Sequence, residues 1–178
     1  NTNAPSLKNF EGLTFADLTV DYNGSEHKIE ISGTLPEGAQ VSYTSNTATN
    51  AGVYNASATI TCEGYNSKTL TAKLTVNKIN YDMSGAAWDY TAAFTYDGSE
   101  KTVAVTGLPE GVTVKQYSGA SATNAGNYSA TVTFNYDTVN YNAPSINACN
   151  WVINKAYITV NVTFDSVTVE YDAKPHAI

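Results

Sequence analysis

The residues able to do acid–base, nucleophilic or metal chemistry are two histidines, two cysteines, nine lysines and sixteen acids, with no arginine. Their spacing assembles no reaction centre. No serine or cysteine has a partnered histidine, and no His/Cys/Asp group has metal-ligand spacing. His27, Lys101 and His176 hold one equivalent place, five residues after a recurring tyrosine. Lysine replaces histidine in the middle copy, so no catalytic histidine is shared. The acids that recur, Glu26/Glu100 and Glu37/Glu110, sit in turn-type sequences, where a solvated carboxylate needs no chemical role. Ser25 and Glu26 supply only a fragment of the alternating carboxylates of a Ca²⁺ loop. The expectation is no enzyme, no metal site and no cofactor.

Covalent crosslinks fare no better. Cys62 and Cys149 fall on inward positions of different repeats, so they read as reduced, buried thiols rather than a disulfide. Lys78 and Lys155 recur at strand ends, as an isopeptide bond would require, but no acid lies on an inner face. That leaves binding by aromatic stacking. Among thirteen tyrosines and two tryptophans, Tyr22, Tyr54, Tyr96, Tyr128 and Trp151 fall on core faces. Trp88, Tyr65, Tyr81 and Tyr141 remain as candidate contacts for a host or cell-surface glycan.

The net charge of −7, without arginine, excludes a nucleic-acid partner, because phosphate neutralisation needs a clustered basic surface. No apolar run approaches the roughly 18 residues that span a bilayer. The opening Asn-Thr-Asn-Ala-Pro has no signal-peptide pattern and reads as an internal boundary of a longer chain.

The elements that would position these residues are written more than once. Thr49-Asn50-Ala51-Gly52-Val53-Tyr54 returns as Thr123-Asn124-Ala125-Gly126-Asn127-Tyr128, an offset of 74 residues between Gly52 and Gly126. Tyr22-Asn23-Gly24-Ser25-Glu26 returns as Tyr96-Asp97-Gly98-Ser99-Glu100 and, weakened, as Tyr171-Asp172-Ala173-Lys174-Pro175. Asn-Gly and Asp-Gly between alternating segments predict a type I′ hairpin. Leu18, Val20 and Tyr22 share one face of its first arm, as do Ala92, Phe94 and Tyr96, and Val167, Val169 and Tyr171. Leu35-Pro36-Glu37-Gly38 and Leu108-Pro109-Glu110-Gly111 end the second arm. A short strand follows, with Val41 and Tyr43 in one copy and Val112 and Val114 in the other.

The longest strand then places Tyr54, Ala56, Ala58, Ile60 and Cys62 inward, against Tyr128, Ala130, Val132, Phe134 and Tyr136. In the last strand Leu70, Ala72, Leu74 and Val76 face in, matched by Cys149, Trp151 and Ile153. The offset has grown to 77 by then (74 to 151), which predicts a three-residue insertion near Val139. The repeats abut at Asn77-Lys78-Ile79 and Asn154-Lys155-Ala156 with no Gly/Ser or Pro-rich linker, so neighbours should be coupled stiffly.

With YDGSE, GLPEGV, TNAGxYxATVTF and INKA in order, the chain resembles the tandem MBG/YDG-type repeats of large bacterial surface proteins, from about Phe15 onward. Asn23 for Asp in the first copy and Ala173 for Gly in the third are departures. The resemblance implies an extracellular, non-catalytic stalk or adhesin segment of a bacterial surface or secreted protein, and it brings no ligand with it. The partners expected are the adjacent repeats of the same chain and, from the candidate aromatics, a host or cell-surface glycan or protein. A carbohydrate-binding accessory module and a fibre subunit are the alternatives.

The fold expected is all-β, a tandem of small Ig-like β-sandwiches of about 75 residues. Gly-x-Tyr-x-Ala is similar to the immunoglobulin strand that carries a corner tyrosine, with Ala56 and Ala130 where cysteine would stand. A β-grasp sheet, which needs a helix across one face, is the alternative. Division falls at 1–79, 80–156 and 157–178, the last an incomplete repeat holding its first hairpin. Tyr22, Gly24, Gly52 and Tyr54, with Tyr96, Gly98, Gly126 and Tyr128, are the expected structural motif.

Overall fold

The computed structural model describes residues 6–176; the Asn-Thr-Asn-Ala-Pro start and the closing Ala177-Ile178 lie outside the described residues. The first repeat contains β1 (Leu18–Asp21), β2 (His27–Lys28), β3 (Gln40–Thr44), β4 (Thr47–Ala48), β5 (Gly52–Thr61) and β6 (Lys68–Asn77). The second contains β7 (Ala87–Trp88), β8 (Phe94–Thr95), β9 (Lys101–Thr102), β10 (Val105–Thr106), β11 (Thr113–Ser118), β12 (Ser121–Ala122), β13 (Gly126–Asn135) and β14 (Cys149–Asn154). No described residue is helical, so the helix that a β-grasp sheet requires is missing.

The two repeats share one topology. Sheet order is β1-β6-β5-β3 in the first and β8-β14-β13-β11 in the second. The hairpins β5–β6 and β13–β14 are antiparallel, while β1 and β8 run parallel to the last strand of their own repeat. A second layer is stitched by β2–β4 in the first repeat, and by β9–β12 and β7–β10 in the second. Phe15, Ile29 and Ala48 of that layer pack on Ala56, Ala58, Ala72, Leu74 and Val76 of the sheet. This is an all-β, Ig-like sandwich, and its alanines bring the two layers close.

The second core is built around a larger side chain. Trp151 takes the register place of Leu74, each facing the strand-opening tyrosine. It is fully buried, packs against Tyr128 with the rings tilted and their centroids 4.8 Å apart, and donates its indole N–H to Gly119 O at 3.0 Å. Burying an indole costs little once that donor is satisfied. A side chain at Gly119 would strike Ser129 O at 2.2 Å, so glycine there lets the indole and the strand share the space.

The Tyr-Asn-Gly turn departs from the expected hairpin. Its two arms do not pair with each other: β1 bonds β6, and β2 bonds β4 in the other layer. The turn therefore carries the chain from one sheet to the other. Gly24 has φ +78° and Gly98 +82°, while Asn23 and Asp97 stay at negative φ, so this is not a type I′ turn. The Asx side chain closes it instead, accepting Ser25 N or Ser99 N at 2.9 Å.

The third copy forms only that local turn. Residues 155–176 are exposed and have no strand partner among the described residues, so the expected first hairpin is not made. The reason is topological: β1 and β8 rest on the last strand of their own repeat, and this segment has none beside it. Ala173 takes φ +61°, a conformation costing an alanine about 1 kcal/mol.

The short strand of the second copy differs from the expected match of Val41 and Tyr43 with Val112 and Val114. Tyr43 and Tyr117 are the true equivalents, each accepting a backbone N–H across the sandwich, from Ile31 at 3.0 Å and Val105 at 2.9 Å. Gly33-Thr34-Leu35 is shortened to Gly107-Leu108, and a bulge between Val114 and Gln116 restores the register. Val112 is buried ahead of the strand rather than within it.

At the mouth of β5 the Tyr54 hydroxyl donates to Asn50 O at 2.9 Å, and Tyr128 to Asn124 O at 2.6 Å. The ring folds back over the preceding glycine, with 3.3 Å between Tyr54 and a Cβ placed on Gly52. Both bonds lie at the surface rather than in the core. Tyr54→Phe should accordingly cost about 0.5–1.5 kcal/mol in urea unfolding, at the modest end for a hydrogen bond. Tyr128→Phe should match it.

Candidate functional site

Three of the repeated motifs of the first repeat converge on one loop of the second. The β5–β6 loop is a tight turn closed by Tyr65 N on Cys62 O at 3.1 Å. Its counterpart between β13 and β14 is longer, closed by Tyr141 N on Asp137 O at 3.1 Å. The expected three-residue insertion is thus split. Two residues precede Tyr141, whose offset from Tyr65 is 76, and the third follows it, since Trp151 stands 77 after Leu74.

Asp137 organises the enlarged loop. Its Oδ1 accepts Val139 N at 2.9 Å and Asn140 N at 3.1 Å, and its Oδ2 accepts Asn140 Nδ2 at 2.9 Å. These bonds, the Asn140 side chain first and its backbone second, hold the Asp137 carboxyl below the usual range, with help from the Val139 N–H and the Lys78 charge. Asn140 is thereby aimed at the first repeat. Its Oδ1 accepts Ala51 N at 2.8 Å, and its Nδ2 also donates to Asn50 Oδ1 at 3.3 Å. It is 6% exposed and is the one buried polar side chain among the described residues.

The connection between repeats enters the same loop. Ile79 N donates to Asn140 O at 3.1 Å, and Asn142 N to Ile79 O at 2.8 Å. Lys78 Nζ donates to Thr138 O at 2.8 Å, which uses the recurring lysine as a junction contact rather than a crosslink. Tyr141 stacks on Tyr81 at 3.9 Å and meets Tyr22 edge-on at 5.9 Å. Tyr22 is half-buried, whereas its counterpart Tyr96 is 40% exposed, against the expectation that both face a core. Tyr141 lies against the first, and no described aromatic ring pairs with the second.

Sequence reasoning passed over the lead-in. Lys8 N bonds Gly64 O at 2.9 Å, Asn66 N bonds Lys8 O at 2.8 Å, and Phe10 stacks on Tyr65 at 4.9 Å. Residues 8–10 therefore do for the first loop what 79–81 do for the second. The signal was present in Lys8-Asn9-Phe10 set against Ile79-Asn80-Tyr81.

The proposed glycan contacts are occupied by the fold. Tyr65, Tyr81 and Tyr141 are half-buried in the stacks just described, and Tyr81 Oη accepts Asp137 N at 3.1 Å. Trp88 is half-buried in the second core and donates its indole N–H to Asn147 O at 2.9 Å. His27, Lys101 and His176 each reach back to the Asx four residues earlier. Cys62 and Cys149 are free thiols, the latter pushed up in pKa by burial and then by Asp89. No group of three metal-ligating side chains occurs among the described residues, and no helix there is long and apolar enough to cross a membrane.

Residues 12–84 and 91–157 each match the family model described as MBG domain. No curated protein matches the chain. Among solved structures, the fibronectin(III)-like modules of Clostridium thermocellum CbhA align over 86% of this chain and 100% of that one, at 12% identity and TM-score 0.29. An I-band fragment of titin aligns over 82% of this chain and 65% of that one, at 13% identity and TM-score 0.25.

Asn140→Ala should cost about 1–3 kcal/mol, since it strips partners from Ala51 and Asp137 at a buried position. Calorimetry should show the single transition of the parent broadening or splitting. The Asp137 contribution follows from its depressed folded pKa. It is complete above the unfolded carboxylate range, about pH 4, and is lost as pH falls through the lower folded value. An acid titration of stability should therefore be shallower in Asp137→Asn than in the parent.

Proposed function

The chain belongs to the MBG domain family, in two tandem copies, and from that premise we propose that it serves as a non-catalytic, semi-rigid stalk or spacer in a bacterial surface or secreted protein. One observation carries the reading: Asn140 of the second repeat is buried against the Asn50-Ala51 corner of the first, with no linker between them. A segment whose task is distance gains from a joint that is ordered rather than strung. Structural repeats that touch only their neighbours transmit shape along one axis. We divide the chain at 1–79, 80–156 and 157–178, with adjacent repeats as the principal partners. An extracellular location is consistent with the family and with a surface covered by Thr, Ser and Asn.

Adhesion to a glycan or protein draws less support, because the aromatics available for stacking are committed to the cores and the junction. The fibre-subunit reading has one observation in its favour. Tyr157, Ile158, Val160, Val162 and Phe164 are all exposed, in a segment that in the other copies is packed. Docked into a neighbour, that segment would lose its apolar exposure.

Small-angle scattering from the full chain should fit one rigid shape across concentrations, and a glycan array should stay silent. Saturable glycan binding that disappears in Trp88→Ala or Tyr81→Ala would replace the spacer by a carbohydrate-binding module.

A further inference from the structure

The Asx turn, which crosses between sheets in the two complete repeats, occurs three times with one hydrogen-bond plan. The Asx side chain accepts the N–H two residues on: Ser25 N to Asn23 Oδ1 at 2.9 Å, Ser99 N to Asp97 Oδ1 at 2.9 Å, and Lys174 N to Asp172 Oδ1 at 3.0 Å. The residue four on then reaches the same group, as His27 Nε2 to Asn23 Oδ1 at 3.0 Å, Lys101 Nζ to Asp97 Oδ2 at 2.6 Å, and His176 Nε2 to Asp172 Oδ1 at 2.9 Å. Two of the three turns are thus built around a carboxylate. In the first copy an amide stands in the same place.

Two hydrogen bonds converge on the oxygen of that amide. An amide oxygen only accepts, so His27 Nε2 must be the donor in its bond to Asn23 Oδ1. Two donors on Oδ1 polarise the Cγ–O bond, and they point at the oxygen where negative charge builds if Cγ is attacked. The next residue is Gly24, with no side chain to hinder its backbone nitrogen. Asn23 and Gly24 are both exposed, so water reaches them.

We propose that Asn23 is a self-modification site at which the chain deamidates itself. Gly24 N attacks Asn23 Cγ, forming the C–N bond of a five-membered succinimide. The Cγ–Nδ2 bond breaks, and the nitrogen leaves as ammonia, carrying off through solvent the proton lost by Gly24 N. Water then adds to one ring carbonyl and reopens the ring as aspartate or isoaspartate, with no change of oxidation state. The α-linked product gives the first turn the carboxylate that Asp97 and Asp172 already supply, and gives His27 the partner that His176 has.

The test is to age the full chain in mildly alkaline buffer, folded and in urea, and to map the peptide containing residues 22–28 by mass and by isoaspartate content. In the folded parent, Asn23 should gain one mass unit ahead of every other asparagine, with ammonia released in step. His27→Ala should slow this several-fold in the folded chain and leave the rate in urea unchanged. His27→Lys, which restores a donor as Lys101 does, should recover the rate, and thermal melts confirm that both variants fold. The proposal is overturned if Asn23 survives in the folded chain while converting in urea. It is equally overturned if His27→Ala reacts at the parental rate when folded.

Discussion

A buried amide has few arrangements in which both its polar atoms find partners, and Asn140 occupies one of them between two repeats. Its oxygen is satisfied by a backbone N–H of the first repeat, and its nitrogen by an Asp of its own loop and an Asn of the neighbour. Apolar contact alone tolerates sliding, because the hydrophobic effect is non-directional. Hydrogen bonds of fixed direction in a water-poor site do not, and leaving them unmade is costly. The relative placement of the repeats therefore hangs on this residue, backed by the Tyr81–Tyr141 stack and by Ile79 threading the loop.

Seen from the junction, the repeated motifs acquire a second role. Asn50-Ala51 belongs to the corner that Tyr54 closes, yet it is also the surface that receives Asn140. Tyr22 precedes the sheet-crossing turn and is also covered by Tyr141. The corner of the second repeat repeats these residues, as Asn124-Ala125 and Tyr96, in an open state. The second repeat thus carries both an enlarged loop and an open corner, while the first carries the corner beside a tight β5–β6 turn.

The sandwich itself was legible in the sequence, since alternation along β5, β6, β13 and β14 put the right residues inward and the opening of β5 returned 74 residues later at β13. What alternation could not convey was pairing. Asn-Gly between two alternating arms reads as a hairpin, and only tertiary contact decides that one arm runs parallel to β6 while the other joins a second layer. The bulge at Lys115 hid for a related reason: a one-residue loss upstream cancels it, so the offset looks undisturbed. The junction was half legible. The growth in offset located the enlarged loop, but burial of Asn140 depends on residues some ninety positions away. The four aromatics singled out for ligand contact are half-buried, a fact hidden from the sequence because loop position says nothing about what a ring stacks on. Trp88 and Tyr81 lie in loops and short strands and still point into packed contacts.

The central claim is that the two repeats form one ordered body joined through Asn140. Residual dipolar couplings from backbone amides of the full chain test it without perturbing the joint. If the two repeats do form one body, β5–β6 and β13–β14 fit a single alignment tensor, with magnitude and axes shared. Two tensors of different magnitude, one for each repeat, would contradict it and leave the chain a pair of loosely tethered beads.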